Sequence, residues 1–461
     1  MLPGGIRLDQ GSDPDMIDAR STTQPFPLHD LALEPAGRWL ASGGRPVFLL
    51  ADTCWAAFTR AADQEWLSYL RLRHQQGFNG VLISALPIAN DRSIATPGSG
   101  GPADRSPFLL DADGNWDRDR LDESYFRHAR SMSESALAHG IVPVIVVLWC
   151  AWVPETWASE RFPGNELTEA QLDRYVDALL AAVGDLSVVF CISGDDKFES
   201  AVGVDRYVRA LERIRAARPE RLTTYHTSPG HEPNLETGRR LIEHPDMDFH
   251  MYQSSHFTGG NDVATRLAVT YRALPERRPV INSEPCYEGH RGSFERMRFR
   301  AAEVRRASWL SVVGGAAAGL GYGAHGIWSW HRPGDRFLNV EGAGEPFPVE
   351  VAMQLPGAWD VGMIRRIVED HALFDVSAAD DLITGDAFGA AVGRSTDPER
   401  IVVYRPDAMP VALGIDLTGW RTRGWDLVSH HEVPVAFTVA DGVTSIAQPQ
   451  VLSDTVVVFS R

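Results

Sequence analysis

Ile141-Val142-Pro143-Val144-Ile145-Val146-Val147-Leu148-Trp149 is an unbroken apolar run. It is less than half the roughly 20 residues that a membrane helix needs, so it reads as a buried strand. A helical pattern precedes it over 124–139 and another follows over 168–183, where Thr168 and Gln171 form a capping box. An all-apolar strand between two helices is the signature of a parallel sheet covered on both faces. The same rhythm extends outward in both directions. Strands are expected over 47–51, 79–85, 187–193, 222–227, 248–253, 279–284 and 326–330. Helices are expected over 62–76, closed by Gly77, and over 204–217, 262–274 and 294–309. Eight strands with helical connections predict a (β/α)8 TIM barrel with insertions, the longest a Pro/Gly/Asp-rich excursion between 85 and 120.

The flanks behave differently. Residues 1–29 are polar and Pro-rich and read as an N-terminal arm, followed by a β-hairpin turning at Gly43-Gly44. Beyond residue 370 the helical pattern stops. Short alternating runs over 387–394, 401–405, 411–416, 424–426, 433–439 and 455–459, separated by turn residues, predict a small all-β sandwich. The expected division is an arm over 1–29, an α/β barrel over 30–370 and a β-sandwich over 371–461.

The 461 residues hold 44 Lys+Arg against 61 Asp+Glu, a formal charge of −17, which argues against a nucleic-acid partner. A hydrophobic content of 44% excludes intrinsic disorder, and four Cys cannot staple a chain of this size. No stretch has the length of a membrane helix, so no membrane partner is expected. The first 18 residues lack the basic start and apolar core of a signal peptide, which makes the expected location cytoplasmic. Oligomeric state is not readable from the sequence.

A barrel of this kind carries its chemistry at the C-terminal ends of its strands. Those ends present Asp52 and Trp55, Trp149, Asp195 and Asp196, His226, Gln253 and His256, Glu284, and Trp328. Aromatic rings stack on sugar faces, and glycosidic cleavage needs two carboxylates flanking the bond. Asp195 and Glu284 are the pair selected, because the ends of strands 4 and 7 face each other across an eight-stranded ring. Strand alternation lets only one of Asp195 and Asp196 point inward, and spacing leaves open which.

These strand ends resemble those of the apiosidase-like glycoside hydrolase family. Asp52-Thr53-Cys54-Trp55 is similar to its G-D-T-x-W, Gly77-Phe78-Asn79 to its G-F-N, and Ser193-Gly194-Asp195 to its G-G-D. Gln253-Ser254-Ser255-His256 resembles Q-S-G-H, Glu284-Pro285 the family's E-P, and Gly321 to Trp328 its Y-G-x-x-x-I-W. The resemblance spans about 37 to 370. It implies a barrel glycosidase with Asp195 as general acid/base on strand 4 and Glu284 as nucleophile on strand 7, a retaining arrangement. It also implies that 372–461 is the β domain, labelled collagen-binding, that often follows this barrel. Ser193 and Ser255 replace Gly, and Cys54 replaces a small residue, so the sugar accepted can differ from apiose.

Plainer roles compete for several of these residues. Asp52 can cap a turn instead of binding sugar, and Trp55, Trp149, Trp152, Trp328 and Trp330 divide between core and sugar platform, with Trp328 the first choice for the platform. His226, His256 and His325 have no metal-ligand spacing and read as donors to sugar hydroxyls, so neither metal nor cofactor is expected. Cys54, Cys150, Cys191 and Cys286 read as small buried hydrophobes, and the glycine-rich run from Gly314 to Gly321 lacks the phosphate-loop lysine and reads as tight packing. The function expected is a glycoside hydrolase acting on a side chain of a plant or bacterial polysaccharide. The alternative is a catalytically inactive carbohydrate-binding barrel, which would have no need of the carboxylate pair.

Overall fold

The computed structural model describes residues 30–89, 91–96, 104–233, 236–256, 261–292 and 297–461. The arm expected over 1–29 lies outside the described residues. Eight parallel strands run around one barrel: strand 1 Leu49–Thr53, strand 2 Gly80–Ser84, strand 3 Val142–Trp149, strand 4 Val189–Gly194, strand 5 Thr223–Thr224, strand 6 His250–Gln253, strand 7 Val280–Glu284 and strand 8 Gly319–Tyr322. Each pairs with its neighbour in the chain, and strand 8 pairs with strand 1. The ladder is interrupted only between strands 5 and 6. There Asp248 N–H donates to the Thr223 carbonyl at 3.0 Å, and the Thr224 hydroxyl to the Phe249 carbonyl at 2.8 Å. Every residue of strand 3 is buried, as a strand covered by helices outside and packed side chains inside must be.

Strands 1 to 7 lie where the sequence places them, but strand 8 does not. The stretch expected as a strand over 326–330 forms turns. The strand is Gly319–Tyr322, out of the run read as tight packing. Both readings of that run have one physical cause. A Cβ on Gly321 would collide with the Ser283 carbonyl of strand 7, so the strand must be glycine-rich and loses the β-branched residues that announce a strand. The helix expected over 294–309 is Ala301–Gly314, and residues 294–296 lie outside the described residues. A further helix, Gly357–Asp370, was not foreseen. It packs behind strands 8 and 1, where Glu369 accepts the Phe48 N–H at 3.3 Å and Arg365 donates to the Gly77 carbonyl at 2.7 Å. Gly362 lets it press on the Gln76 carbonyl, and that internal glycine weakens its helical signal.

After this helix the chain forms two antiparallel sheets. The larger has the order Ser377–Ala378, Ala391–Thr396, Glu399–Arg405, Thr455–Ser460, Arg421–Asp426, Glu432–Val433, and the smaller Val411–Leu413, Val443–Ile446, Phe437–Ala440. The run expected as one strand over 433–439 is split between them. Alternation along Glu399–Arg405 builds two interfaces at once. Ile401 and Val403 join Leu413, Ile446 and Phe459 between the sheets, while Val402 and Tyr404 join the barrel's core, with Tyr404 stacked on Trp309 at 6.2 Å. Among the described residues, no helix is long and apolar enough to cross a membrane.

Candidate active site

The C-terminal ends of the strands enclose a cavity of about 670 Å³. Strand 7 ends in Glu284, whose backbone N–H reaches the Asn282 side-chain oxygen at 3.3 Å. The residue is 7% exposed, and its carboxylate sits between two imidazoles. His256 Nε2 lies 3.1 Å from Oε1 and His226 Nε2 3.2 Å from Oε2. Both rings are oriented from behind by backbone. The Tyr287 N–H donates to His256 Nδ1 at 3.2 Å, and the Asp195 N–H to His226 Nδ1 at 3.3 Å. An Nδ1 that accepts a hydrogen bond has no proton of its own, so each neutral ring carries its proton on Nε2, aimed at Glu284. Burial by itself would push Glu284 up, but the His226 and His256 contacts reverse this and hold it well below the ordinary carboxylate range.

Asp195 has the opposite environment. It follows Gly194 at the end of strand 4 with φ +57°, a left-handed conformation uncommon for a side-chain-bearing residue. The chain turns sharply there, secured by the Trp157 indole N–H donating to the Asp195 carbonyl at 2.7 Å. The side chain lines the cavity, and Oδ1 is buried with no hydrogen-bond partner among the described residues. Burial first, and then the charges of Glu284, Asp91 and Asp196, push its carboxyl well above the usual range. Asp196 lies outside the cavity. Its Oδ1 accepts the Lys197 N–H at 2.7 Å, and burial, partly offset by the Tyr207 hydroxyl, places it at about 6. Of the two aspartates left open by alternation, Asp195 is the one that points inward.

Trp55, Trp149, Gln253, His256 and Trp328 line the cavity with the two carboxylates. Trp55 stands edge-on to Trp149 at 5.2 Å and to His226 at 5.3 Å; His226 itself, an expected binding residue, is fully buried behind these rings and does not line the cavity. Two further expected binding residues are also placed away from the cavity. Asp52 is fully buried behind strand 1, where its Oδ2 takes the Arg73 Nε–H at 2.6 Å and the Tyr69 hydroxyl at 2.7 Å. Strand alternation turns it outward, and the helix Asp63–Gln75 supplies both partners. His325 is also fully buried. It donates from Nε2 to the Gly344 carbonyl at 2.9 Å and stacks behind Trp328 at 5.6 Å, so it positions that ring from behind the cavity. Trp152 and Trp330 belong to the core, with their indole N–H groups on the Pro87 carbonyl and Glu65. All four cysteines are buried and unpaired.

The sequence reading missed Asp91, Trp157, Arg161, Tyr287, His290 and Asn339, which also line the cavity. Asp91 lies in the polar excursion after strand 2, and Tyr287 three residues beyond Glu284. Both follow barrel strands, which is the one signal that could have found them.

The comparisons with known proteins bear on the fold and the family. A solved structure described as a glycoside hydrolase superposes with a TM-score of 0.75 at 18% identity, covering 94% of this chain and 96% of that one. A glycoside hydrolase family 5 structure from Bacteroides vulgatus gives 0.75 at 19% identity, covering 94% and 93%. At such identities the likeness is one of fold. No curated protein matches this chain. The family model described as "Apiosidase-like, catalytic domain" matches residues 34–375. That match takes in the whole barrel, Asp195 and Glu284 included, so this chain belongs to the apiosidase-like family of glycoside hydrolases.

Proposed function

We propose that this glycoside hydrolase cleaves a sugar from a side chain of a plant or bacterial polysaccharide with retention of anomeric configuration, using Glu284 as nucleophile and Asp195 as acid/base. One observation carries the reading. In a single cavity, Glu284 is held ionised by two imidazole donors while Asp195 is driven toward its protonated form. Paired carboxyl groups pulled in opposite directions are the acid and the nucleophile of such a reaction.

The steps follow from those states. Glu284 attacks the anomeric carbon as Asp195 gives its proton to the departing glycosidic oxygen, which leaves as an alcohol. Asp195, now a carboxylate, takes a proton from water. The resulting hydroxyl oxygen displaces Glu284 from the anomeric carbon and regenerates both groups. We assign this chemistry to the barrel over 30–370 and no catalytic group to the β domain over 371–461.

A panel of aryl glycosides and pectic oligosaccharides tests the proposal. On a glycoside that the wild type cleaves, Glu284→Gln should abolish turnover. Asp195→Asn should lose about 10²–10⁴-fold on natural linkages and far less on a good leaving group, which needs little protonation. Azide added to Asp195→Ala should yield a glycosyl azide with the substrate's own configuration. If both carboxylate variants keep wild-type rates, the two groups are structural. A barrel that only binds carbohydrate would hold the ligand without turnover in the wild type.

A further inference from the structure

Besides Asp195 and Glu284, the cavity is lined by two carboxylates that the reaction above does not use, Glu341 and Asp91. Asp91, in the connection after strand 2, lines both the main cavity and the narrow recess beyond Trp55 and Trp328. Its Oδ1 is buried with no hydrogen-bond partner among the described residues. Burial pushes the group up to about 7; the Asn339 side chain opposes that shift and the Glu284 charge adds to it. The nearby cations are engaged elsewhere. Arg60 holds Asp104 and Asp335 at 2.5 and 2.6 Å, and the Arg92 guanidinium lies over the Trp116 ring at 5.3 Å. A carboxyl buried in a cleft with incomplete bonding is costly to the fold, and such groups cluster at functional sites.

Other polar atoms of the same cavity are also unpaired. Asp195 Oδ1 and Gln253 Oε1 lack donors, while the Trp328 indole N–H lacks an acceptor among the described residues. A ligand rich in hydroxyl groups, each both donor and acceptor, meets all of them, and the tryptophan faces suit the apolar face of a sugar ring. Asp91, Asp195, Glu284 and Glu341 line the cavity against Arg161, the one arginine or lysine among its described lining residues. A carboxylate on the bound sugar would be repelled by Glu284, and by Asp91 in its ionised form.

We propose that Asp91 is a specificity-determining residue: it accepts hydroxyl hydrogen bonds from a neutral sugar held beside Glu284 and excludes uronic acids from that position. The assignment rests on the glycoside hydrolase reading and names the class of sugar its site takes. The test is binding of free neutral pentoses and hexoses and of the matching hexuronates to the full chain, followed by saturation-transfer NMR and the fluorescence of the cavity tryptophans. The wild type should bind a neutral sugar and discriminate against its uronate. Asp91→Ala should weaken the neutral sugar at least tenfold. Asp91→Asn, which keeps the shape and one acceptor, should weaken it less and reduce the neutral-to-uronate preference at least tenfold. Unchanged affinity and preference in both variants, or a uronate bound by the wild type as tightly as the neutral sugar, overturns the role of Asp91 alone. Sugar binding that depends on Asp91 without turnover of any glycoside supports this role and overturns the catalytic one. If the wild type binds no sugar, both are overturned.

Discussion

Glu284 keeps its charge in a buried place because two backbone N–H groups fix the tautomers of His226 and His256. Removing one of those rings should therefore be read through pH rather than through rate alone. In the proposed mechanism Glu284 must be ionised to attack, so its depressed pKa would keep the enzyme active as pH falls. His256→Ala removes one donor and raises that pKa, so activity should be lost sooner on acidification. The acid limb of kcat/KM should move to higher pH by about 1 unit, the scale of a hydrogen bond to a charged group. An unmoved limb would detach His256 from Glu284. The identities of Asp195, Glu284 and His256 were legible as letters at strand ends. The tautomers were not, because they depend on backbone groups at 195 and 287 that meet the rings only in the folded barrel. Asp52 shows the converse. It carries the same letter at an equivalent strand end, yet its chemistry is set by Arg73 on the helix behind it.

Strand 8 is where propensity and packing disagree. Its glycines are required by the approach of strand 7, so pattern reading moved the strand past them to the aromatic stretch at 326–330, where side chains look more strand-like. Gly321→Val should test this directly. The added branches have no space beside Ser283, and overpacking of this kind costs about 1–3 kcal/mol, more where backbone is the obstacle. An unfolding free energy from urea titration within about 0.5 kcal/mol of wild type, on the scale of a neutral surface change, would mean that the strand can open without penalty. Helix Gly357–Asp370 was missed for a related reason, since its internal Gly362 exists for contact with Gln76 rather than for the helix.

The barrel and the β sheets are joined by a buried ionic knot. Arg305, on the helix after strand 7, bonds Asp360 at 2.8 Å and both oxygens of Asp454 at 2.8 and 3.0 Å. His430 adds a contact to Asp360 at 2.8 Å. Arg305→Leu would leave two buried carboxylates without their cation, a loss of about 3–5 kcal/mol where one partner of a buried pair is removed. Denaturant unfolding should show that loss as a lower midpoint, while kcat/KM of the folded fraction stays at the wild-type value because none of these groups lines the cavity. A fall in kcat/KM without loss of stability would instead tie the β sheets to the chemistry.

Periodicity and punctuation were enough to read seven barrel strands, six of the helices around them and the change to antiparallel β structure near residue 370. These are local signals, carried by residues two to four apart along the chain. The position of strand 8, the outward turn of Asp52, the inward turn of Asp195 at φ +57° and the arrival of Asp91 in the cavity were decided by the tertiary structure. Each depends on atoms far away in sequence: a carbonyl on the next strand, a guanidinium on the covering helix, or strand ends from across the ring that complete the cavity around Asp91. A side chain's charge state follows from what surrounds it, and that environment exists only once the ring of strands has closed.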